Sequence, residues 1–323
     1  MQGPRVTVVG AGVAGVAAAR ALAAAGTAVT VLERARTPGG RAASRTLHGR
    51  PVDLGASYFT ARDERFTAVV DDWVARGLAH RWTDRFVVAG SAGWTTKVGP
   101  QRYGTPGGMR TLVEDLAAGL DVRTGVDVQR VGAGPVVDGE PADAVVLAMP
   151  DPQAARLLDP ALAAERAAVV SRAWEPVLAL AAGWPDRTWD LDGCFVDPGA
   201  PGGDVLSFLA DDGGRRGDGA AVLVAHSTPA FAGRHLASPQ QAAPQLVESL
   251  TRLLDLPPPT WTSLQRWTFA RPAAARDASF LLGLGDAWTG IGLCGDAWGA
   301  PRFETAWLSG TLLGEFVARR LRG

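Results

Sequence analysis

An α/β fold is what this sequence predicts: a Rossmann-type, parallel-sheet domain assembled from separate stretches of chain, interrupted by a mixed or antiparallel-sheet domain. Three observations predict it. A strand, a glycine turn, a helix and a second strand follow one another up to Glu33. A strand, a glycine, a carboxylate and a long helix close the chain from Gly290 to Leu321. Between them lie short apolar runs set apart by turn-forming residues, as in an antiparallel or mixed sheet.

Taken in order, Val6 to Val9 reads as a short buried strand. Ala14 to Ala25 reads as an alanine-rich helix stopped by Gly26, and Ala28 to Leu32 as the next strand. Arg65 to Arg76 has helical periodicity, and Trp82 to Trp94 alternates as an antiparallel pair would. A helix over Met109 to Leu120 follows Gly107-Gly108, with a strand near Gly125 to Val131 and another over Ala144 to Ala148. Further on, Val177 to Ala182, Leu206 to Leu209 and Ala221 to Ala225 are short strands, and Gln240 to Leu254 is an amphipathic helix. Gly199 to Gly219, rich in Gly, Asp, Pro and Arg, reads as one or two mobile loops. Gly290 to Cys294 is the last strand and Thr305 to Leu321 the last helix. The boundaries that follow are 1–60, 104–152 and 278–323 for the nucleotide domain, and 61–103 with 153–277 for a substrate domain.

Composition removes several function classes. The 323 residues are 47% hydrophobic with a net charge of −1, so nothing electrostatic favours nucleic acid or an anionic membrane as partner. Apolar runs are broken well before the roughly 18 residues a membrane span needs. The first residues lack the basic stretch, apolar run and cleavage site of a secretory leader, so the expected location is cytoplasmic. Cys194 and Cys294 are far apart and fit buried thiols in a reducing compartment. His48, His80, His226 and His235 show no ligand spacing, so no metal is expected, and no GxSxG nucleophile motif occurs.

Gly10-Ala11-Gly12-Val13-Ala14-Gly15 is a GxGxxG between a strand and a helix, suited to bring backbone N–H groups and a helix N-terminus to a pyrophosphate. Glu33 ends the second strand, where a carboxylate accepts ribose hydroxyls. This unit fits NAD or FAD equally. Pro38-Gly39-Gly40-Arg41 and Gly292-Leu293-Cys294-Gly295-Asp296 decide between them by resemblance to the large flavoprotein family that includes the amine oxidases. That resemblance implies Gly40 and Arg41 along an FAD pyrophosphate and ribityl chain, and Asp296 on the ribityl hydroxyls. The helix opening Thr305-Ala306-Trp307 would offer N–H groups to the flavin pyrimidine edge, where reduction builds negative charge. The expected FAD-binding residues are Gly10, Gly12, Ala14, Gly15, Glu33, Arg34, Gly40, Arg41, Ala56, Ser57, Val128, Gly295, Asp296, Glu304, Thr305 and Ala306. Neither cysteine lies in the stretch just before the C-terminal motif where monoamine oxidases attach their flavin, so FAD is expected to be held non-covalently.

Together with Gly55-Ala56-Ser57-Tyr58-Phe59-Thr60-Ala61-Arg62, these motifs resemble renalase, particularly its short bacterial members. The resemblance takes in Pro106-Gly107-Gly108-Met109, Gly193-Cys194-Phe195-Val196, His226-Ser227-Thr228, Arg266-Trp267 and Ala306-Trp307-Leu308-Ser309-Gly310. It implies an FAD oxidase that returns 2- and 6-dihydro isomers of NAD(P) to NAD(P)+ by hydride transfer to flavin N5, with O2 reduced to H2O2. Where bacterial renalases carry a polar Arg/Asn run beside the substrate, this chain has Asp211-Asp212-Gly213-Gly214-Arg215-Arg216. Two carboxylates there disfavour a pyrophosphate, whereas the two arginines favour it. Tyr58, His226 and Trp267 are the candidate catalytic residues, each also suited to plain core packing, while Asp53 and Arg62 read as structural. An amine oxidase acting on a small amine, or a flavin-binding redox protein without turnover, are the alternatives.

Overall fold

The computed structural model describes residues 3–170, 172–282 and 288–322, so 1–2, 283–287 and 323 of the expected nucleotide domain and 171 of the expected substrate domain lie outside the described residues. The chain folds into two compact units. The first comprises 1–42, 112–174 and 271–323, the second 43–111 and 175–270.

In the first unit, β-branched runs that are buried on both faces build a parallel sheet. Among the described residues its strand order is Leu281–Leu282, Ile291–Leu293, Ala144–Leu147, Arg5–Val9, Ala28–Glu33 and Asp121–Thr124, with only the first of these antiparallel to its neighbour. Val6 pairs with both Val29 and Ala144, so the glycine-loop strand is central. The alanine-rich helix Val13–Ala24 packs along the final helix, Phe303–Arg322. The strand expected near Gly125 to Val131 is instead Asp121–Thr124, which pairs with Ala28–Glu33. Gly125, at a φ of +74°, turns the chain out of the sheet, and only Val131–Gly132 then forms a short strand.

The second unit is built on a seven-stranded sheet ordered Trp261–Pro272, Trp174–Gly183, Val222–Ser227, Leu206–Asp211, Gly193–Val196, His80–Gly90 and Gly93–Gly104. Leu178, Leu180, Leu209, Leu223, Phe231, Leu246 and Leu250 form the core beneath it. Helix Glu64–Ala75 starts where the Asp63 carboxylate accepts the N–H groups of Arg65 and Phe66, a cap contributing about 1 kcal/mol.

The units divide differently from the expected domains. Residues 43–60 and 104–111 belong to the second unit, where Ser44–Leu47 pairs with Arg50–Asp53 and Phe59 bridges Tyr103. Residues 153–174 belong to the first, because Ala154, Leu158, Leu162 and Val169 join Val145 and Leu147 in its core. No helix among the described residues is long and apolar enough to cross a membrane.

Candidate functional site

The first unit ends its central strand in the glycine loop. A side chain at Gly10, whose φ is +103°, would put its Cβ 2.6 Å from the Ala148 carbonyl oxygen, and one at Gly15 would meet the Gly10 oxygen at 1.9 Å. Strand, loop and helix therefore approach as only glycine allows. Helix Val13–Ala24 begins after Gly12 with no side-chain cap and no acidic residue in its first turn. Val13 and Ala14 are nevertheless buried. An uncapped, buried helix N-terminus suits an anion. Glu33 is aimed here: its two carboxylate oxygens accept the N–H groups of Ala11 and Ala35, each at 2.7 Å. Each oxygen keeps a further acceptor site for a ribose hydroxyl.

Beside the glycine loop, where a Cβ on Gly40 would meet Gly12 Cα at 3.2 Å, Arg41 and Asp296 meet. Their side chains form a bidentate pair, with Nη1 donating to Oδ2 at 2.8 Å and Nη2 to Oδ1 at 2.6 Å. The Arg41 guanidinium also lies 5.2 Å from the Trp174 ring centroid. Gly295, at a φ of +153°, donates its N–H to the Ser309 hydroxyl. Val128 is buried in the core that contains Val9, and Glu304 is buried in the first turn of the last helix. Arg34 and Gly40 are exposed. One expectation fails: the last helix starts at Phe303, so the Ala306 N–H is donated to the Arg302 carbonyl and is not among the helix's free donors. Thr305 sits in the first turn and donates its hydroxyl to the Ala300 oxygen. These glycines, the uncapped turn and the Glu33 and Asp296 carboxylates fit a flavin dinucleotide.

In the second unit, Tyr58 and His226 come together on one aromatic patch. Tyr58 lies 5.3 Å from Phe86 and 6.0 Å from Phe208, and Phe208 lies 5.7 Å from His226. Trp82 and Phe195 complete it. Tyr58, Trp82, Phe208 and His226 are half-buried and Phe195 is exposed, over a fully buried Phe86. Trp267 is elsewhere: its indole N–H is donated to the Leu54 carbonyl at 2.7 Å, and its ring packs beside Val52, Leu54 and Ala179. Ala56 is half-buried, and the buried Ser57 hydroxyl has no hydrogen-bond partner.

A residue that sequence reasoning missed lies under the patch. Arg102, 7% exposed, has its guanidinium carbon 3.8 Å from the Phe86 ring centroid and 5.6 Å from that of Tyr58. Its Nε and Nη1 are buried with no hydrogen-bond partner, and so is Trp82 Nε1. Desolvating an ion costs several kcal/mol, and a cation–π contact returns about 0.5–2 kcal/mol. Arg102 is therefore under-compensated. Nothing in the residue's neighbours in sequence signals this, because the deficit appears only when acceptors are counted in space.

A family model described as flavin-containing amine oxidoreductase matches residues 78–312, and one described as an NAD(P)-binding Rossmann-like domain matches residues 8–73. The chain belongs to the flavin-containing amine oxidoreductase family. It is similar to putrescine oxidase of Kocuria rosea, 43% identical over 67 residues, or 21% of this chain and 14% of that protein. Hydroxyneurosporene desaturase of Rubrivivax gelatinosus is 48% identical over 67 residues, 20% of this chain and 13% of that protein. The chain thus matches only about a seventh of the length of either curated relative. In structure, cyclohexylamine oxidase from Brevibacterium oxydans superimposes with a TM-score of 0.77 at 16% identity, covering 99% of this chain and 100% of that one. Membership brings FAD as the cofactor and oxidoreductase as the class.

In this flavoprotein, the stretch expected to be a mobile loop beside the substrate is neither mobile in form nor open. Leu206–Asp211 is a sheet strand and Asp212–Arg216 a short helix. Asp211, Asp212, Arg215 and Arg216 are all buried. Arg215 pairs with Asp212 and, at 2.8 Å, with Asp53; Arg216 reaches Asp53 at 3.0 Å; Arg50 reaches Asp212 and Asp218, each at 2.7 Å. Asp53 also accepts the Met109 N–H at 3.0 Å and the Ser44 hydroxyl. Burial alone would raise the Asp212 carboxyl, but the charges of Arg215, Arg216 and Arg50 outweigh it and hold it below the usual range. Asp211, ion-paired with Arg187, is pushed up by burial, which outweighs that pair. The expected contest between carboxylates and arginines over a pyrophosphate does not arise here, because these charges neutralise one another inside the unit.

Both cysteines are buried free thiols. Burial pushes Cys194 up to about 11 and Cys294 further still, which leaves neither a reactive thiolate at neutral pH.

Proposed function

We propose that this chain is an FAD-dependent oxidase that converts 2- or 6-dihydro isomers of NAD(P) to NAD(P)+, with O2 and a proton taken up and H2O2 released. The observation that carries this reading is the half-buried aromatic patch joining Tyr58 to His226 through Phe208, whose rings are tilted to one another and could hold a planar ring by face and edge contacts. The motif strings shared with renalase, above all Gly55 to Arg62, support the same reading. Bound FAD supplies the two-electron acceptor.

The chain's own residues have a limited task, because a dihydropyridine becomes aromatic on losing hydride and needs no strong base. Tyr58 and Phe208 orient the ring by stacking and edge contacts, and His226 fixes its in-plane position by hydrogen bonding. Positioning dominates, since a 1 Å misplacement can cost on the order of a hundredfold in rate. Trp267 would act only indirectly, by holding the Leu54 backbone. Gly10, Gly12, Ala14 and Gly15 would receive the FAD pyrophosphate, Glu33 a ribose, and Arg41 with Asp296 the phosphate and ribityl chain; Ala56 and Ser57 would add contacts.

An oxygen electrode with product analysis tests the reading. One H2O2 and one NAD(P)+ should appear per O2 consumed with the 2- or 6-dihydro isomer. Peroxide formed only with a small amine would assign the chain to the amine oxidases instead. No turnover with any donor would make it a flavin-binding protein without catalysis.

A further inference from the structure

We infer that Arg102 and Trp82 form an oxyanion subsite in the second unit, and that the substrate carries a phosphate or carboxylate group that occupies it. The inference deepens the reading above, and it rests on that reading only for which anion is bound.

The two residues sit on neighbouring antiparallel strands, His80–Gly90 and Gly93–Gly104, where Thr83 pairs with Arg102. Both reach the same ring: Trp82 lies 5.4 Å from Phe86, and the Arg102 guanidinium 3.8 Å from it. Together they present three buried N–H-bearing atoms without an acceptor: Arg102 Nε, Arg102 Nη1 and Trp82 Nε1. Aromatic faces screen a cation weakly compared with the water it has left. Buried donors in native proteins are almost always paired, so three orphans around one ring call for an acceptor from outside. The acceptor must accept several hydrogen bonds and carry negative charge, because arginine donates as a rigid fork that matches phosphate or carboxylate.

The surrounding rings narrow the ligand further. Tyr58, Phe208 and His226 are only half-buried, and Tyr58 contacts both Arg102 and Trp82, so an aromatic surface adjoins the donors. A molecule with an aromatic or planar ring and an anionic group a short distance away fits both. A cationic amine does not, since Arg102 would repel it.

The test is calorimetric titration of the FAD-loaded protein with inorganic pyrophosphate, benzoate, benzamide and benzylamine. Pyrophosphate, benzoate or both should bind, with benzamide and benzylamine at least about tenfold weaker. Binding of pyrophosphate alone identifies a phosphate-bearing substrate, and binding of benzoate alone a carboxylate. Arg102→Met should weaken the anion about tenfold to a hundredfold, as for a lost charged hydrogen bond. Trp82→Phe, which keeps the ring and drops the N–H, should weaken it severalfold. If Arg102→Met does not fold, Arg102→Lys takes its place and should lose the fork's share of the affinity while keeping the charge. Failure of both anions to bind, or unchanged affinity in the arginine and tryptophan variants, overturns the subsite. Anion binding without dihydronicotinamide oxidation would sink the proposed reaction and leave the subsite standing; oxidation without an Arg102 effect would do the reverse.

Discussion

The second unit buries arginine in two places, and the two are opposites. Around Asp53 and Asp212, three arginines (Arg50, Arg215 and Arg216) meet three aspartates (Asp53, Asp212 and Asp218). Arg216 also donates to the carbonyls of Thr105 and Pro106. Under the aromatic patch, Arg102 meets rings and no carboxylate. A closed charge cluster is a structural element, with each cation's cost offset by a partner within the unit. An open one is unfinished without a ligand. The difference lies in the count of acceptors, not in the degree of burial.

The largest effect should come from breaking the closed cluster. Asp212→Asn or Asp53→Asn leaves buried guanidinium charge uncompensated and should destabilise the protein by about 3–5 kcal/mol in urea unfolding. Little change would mean the cluster relaxes onto water and is not closed. The pair Arg41–Asp296 is an intermediate case, closed on itself yet expected to open toward FAD. Asp296→Ala, and likewise Glu33→Ala, should weaken FAD binding by about 1–3 kcal/mol, read by flavin fluorescence on dilution. Unchanged affinity in both would remove the assigned ribose and ribityl roles. The open site should show the smallest stability effect: Arg102→Met should stay within about 1 kcal/mol of the parent or exceed it, because it removes a buried charge that nothing pairs. A large loss of stability would mean Arg102 is structural after all.

Acid sharpens the same contrast. Asp212 is held below its ordinary value of 3.8, so its contribution to stability is present above that value and is lost as pH falls through the folded-state pKa. Asp211 and Asp151 are raised, chiefly by burial, so each opposes folding once pH rises past its ordinary range. Urea midpoints followed from about pH 7 down to pH 3 should therefore lose an acid-side fall in Asp212→Asn that the parent shows, leaving the variant's profile shifted toward greater relative stability in acid. Equal acid sensitivity in both proteins would place the titrating group elsewhere.

Much of the first unit was legible in the sequence because its signals are local. The glycine loop, Glu33 and the Gly295-Asp296 turn each depend on a few adjacent residues. The first two strands and the first and last helices lie close to their expected ends, whereas the strand expected near Gly125 to Val131 is displaced to Asp121–Thr124. The boundaries were less legible, since whether 153–174 packs with one sheet or another depends on distant partners such as Val145 and Leu147. The Gly199 to Gly219 stretch misled for a physical reason. Gly, Asp and Arg are loop formers when solvated, but here Gly213 is packed so closely that a Cβ would meet the Ala220 oxygen at 1.9 Å, and the charges pair with Asp53 and Arg50 from far upstream. Tyr58 and His226, which share one aromatic patch, were named from motifs. Arg102 was not, because only the third dimension shows that its neighbours are rings.

Anaerobic stopped-flow reduction of the bound FAD tests the functional claim most directly. Flavin absorbance should bleach on the 2- or 6-dihydro isomer of NAD(P) far faster than on ordinary 4-dihydro NADH, benzylamine or putrescine, by on the order of a hundredfold for a donor carbon misplaced by 1 Å. Reduction by an amine with none by any dihydronicotinamide isomer would contradict the account.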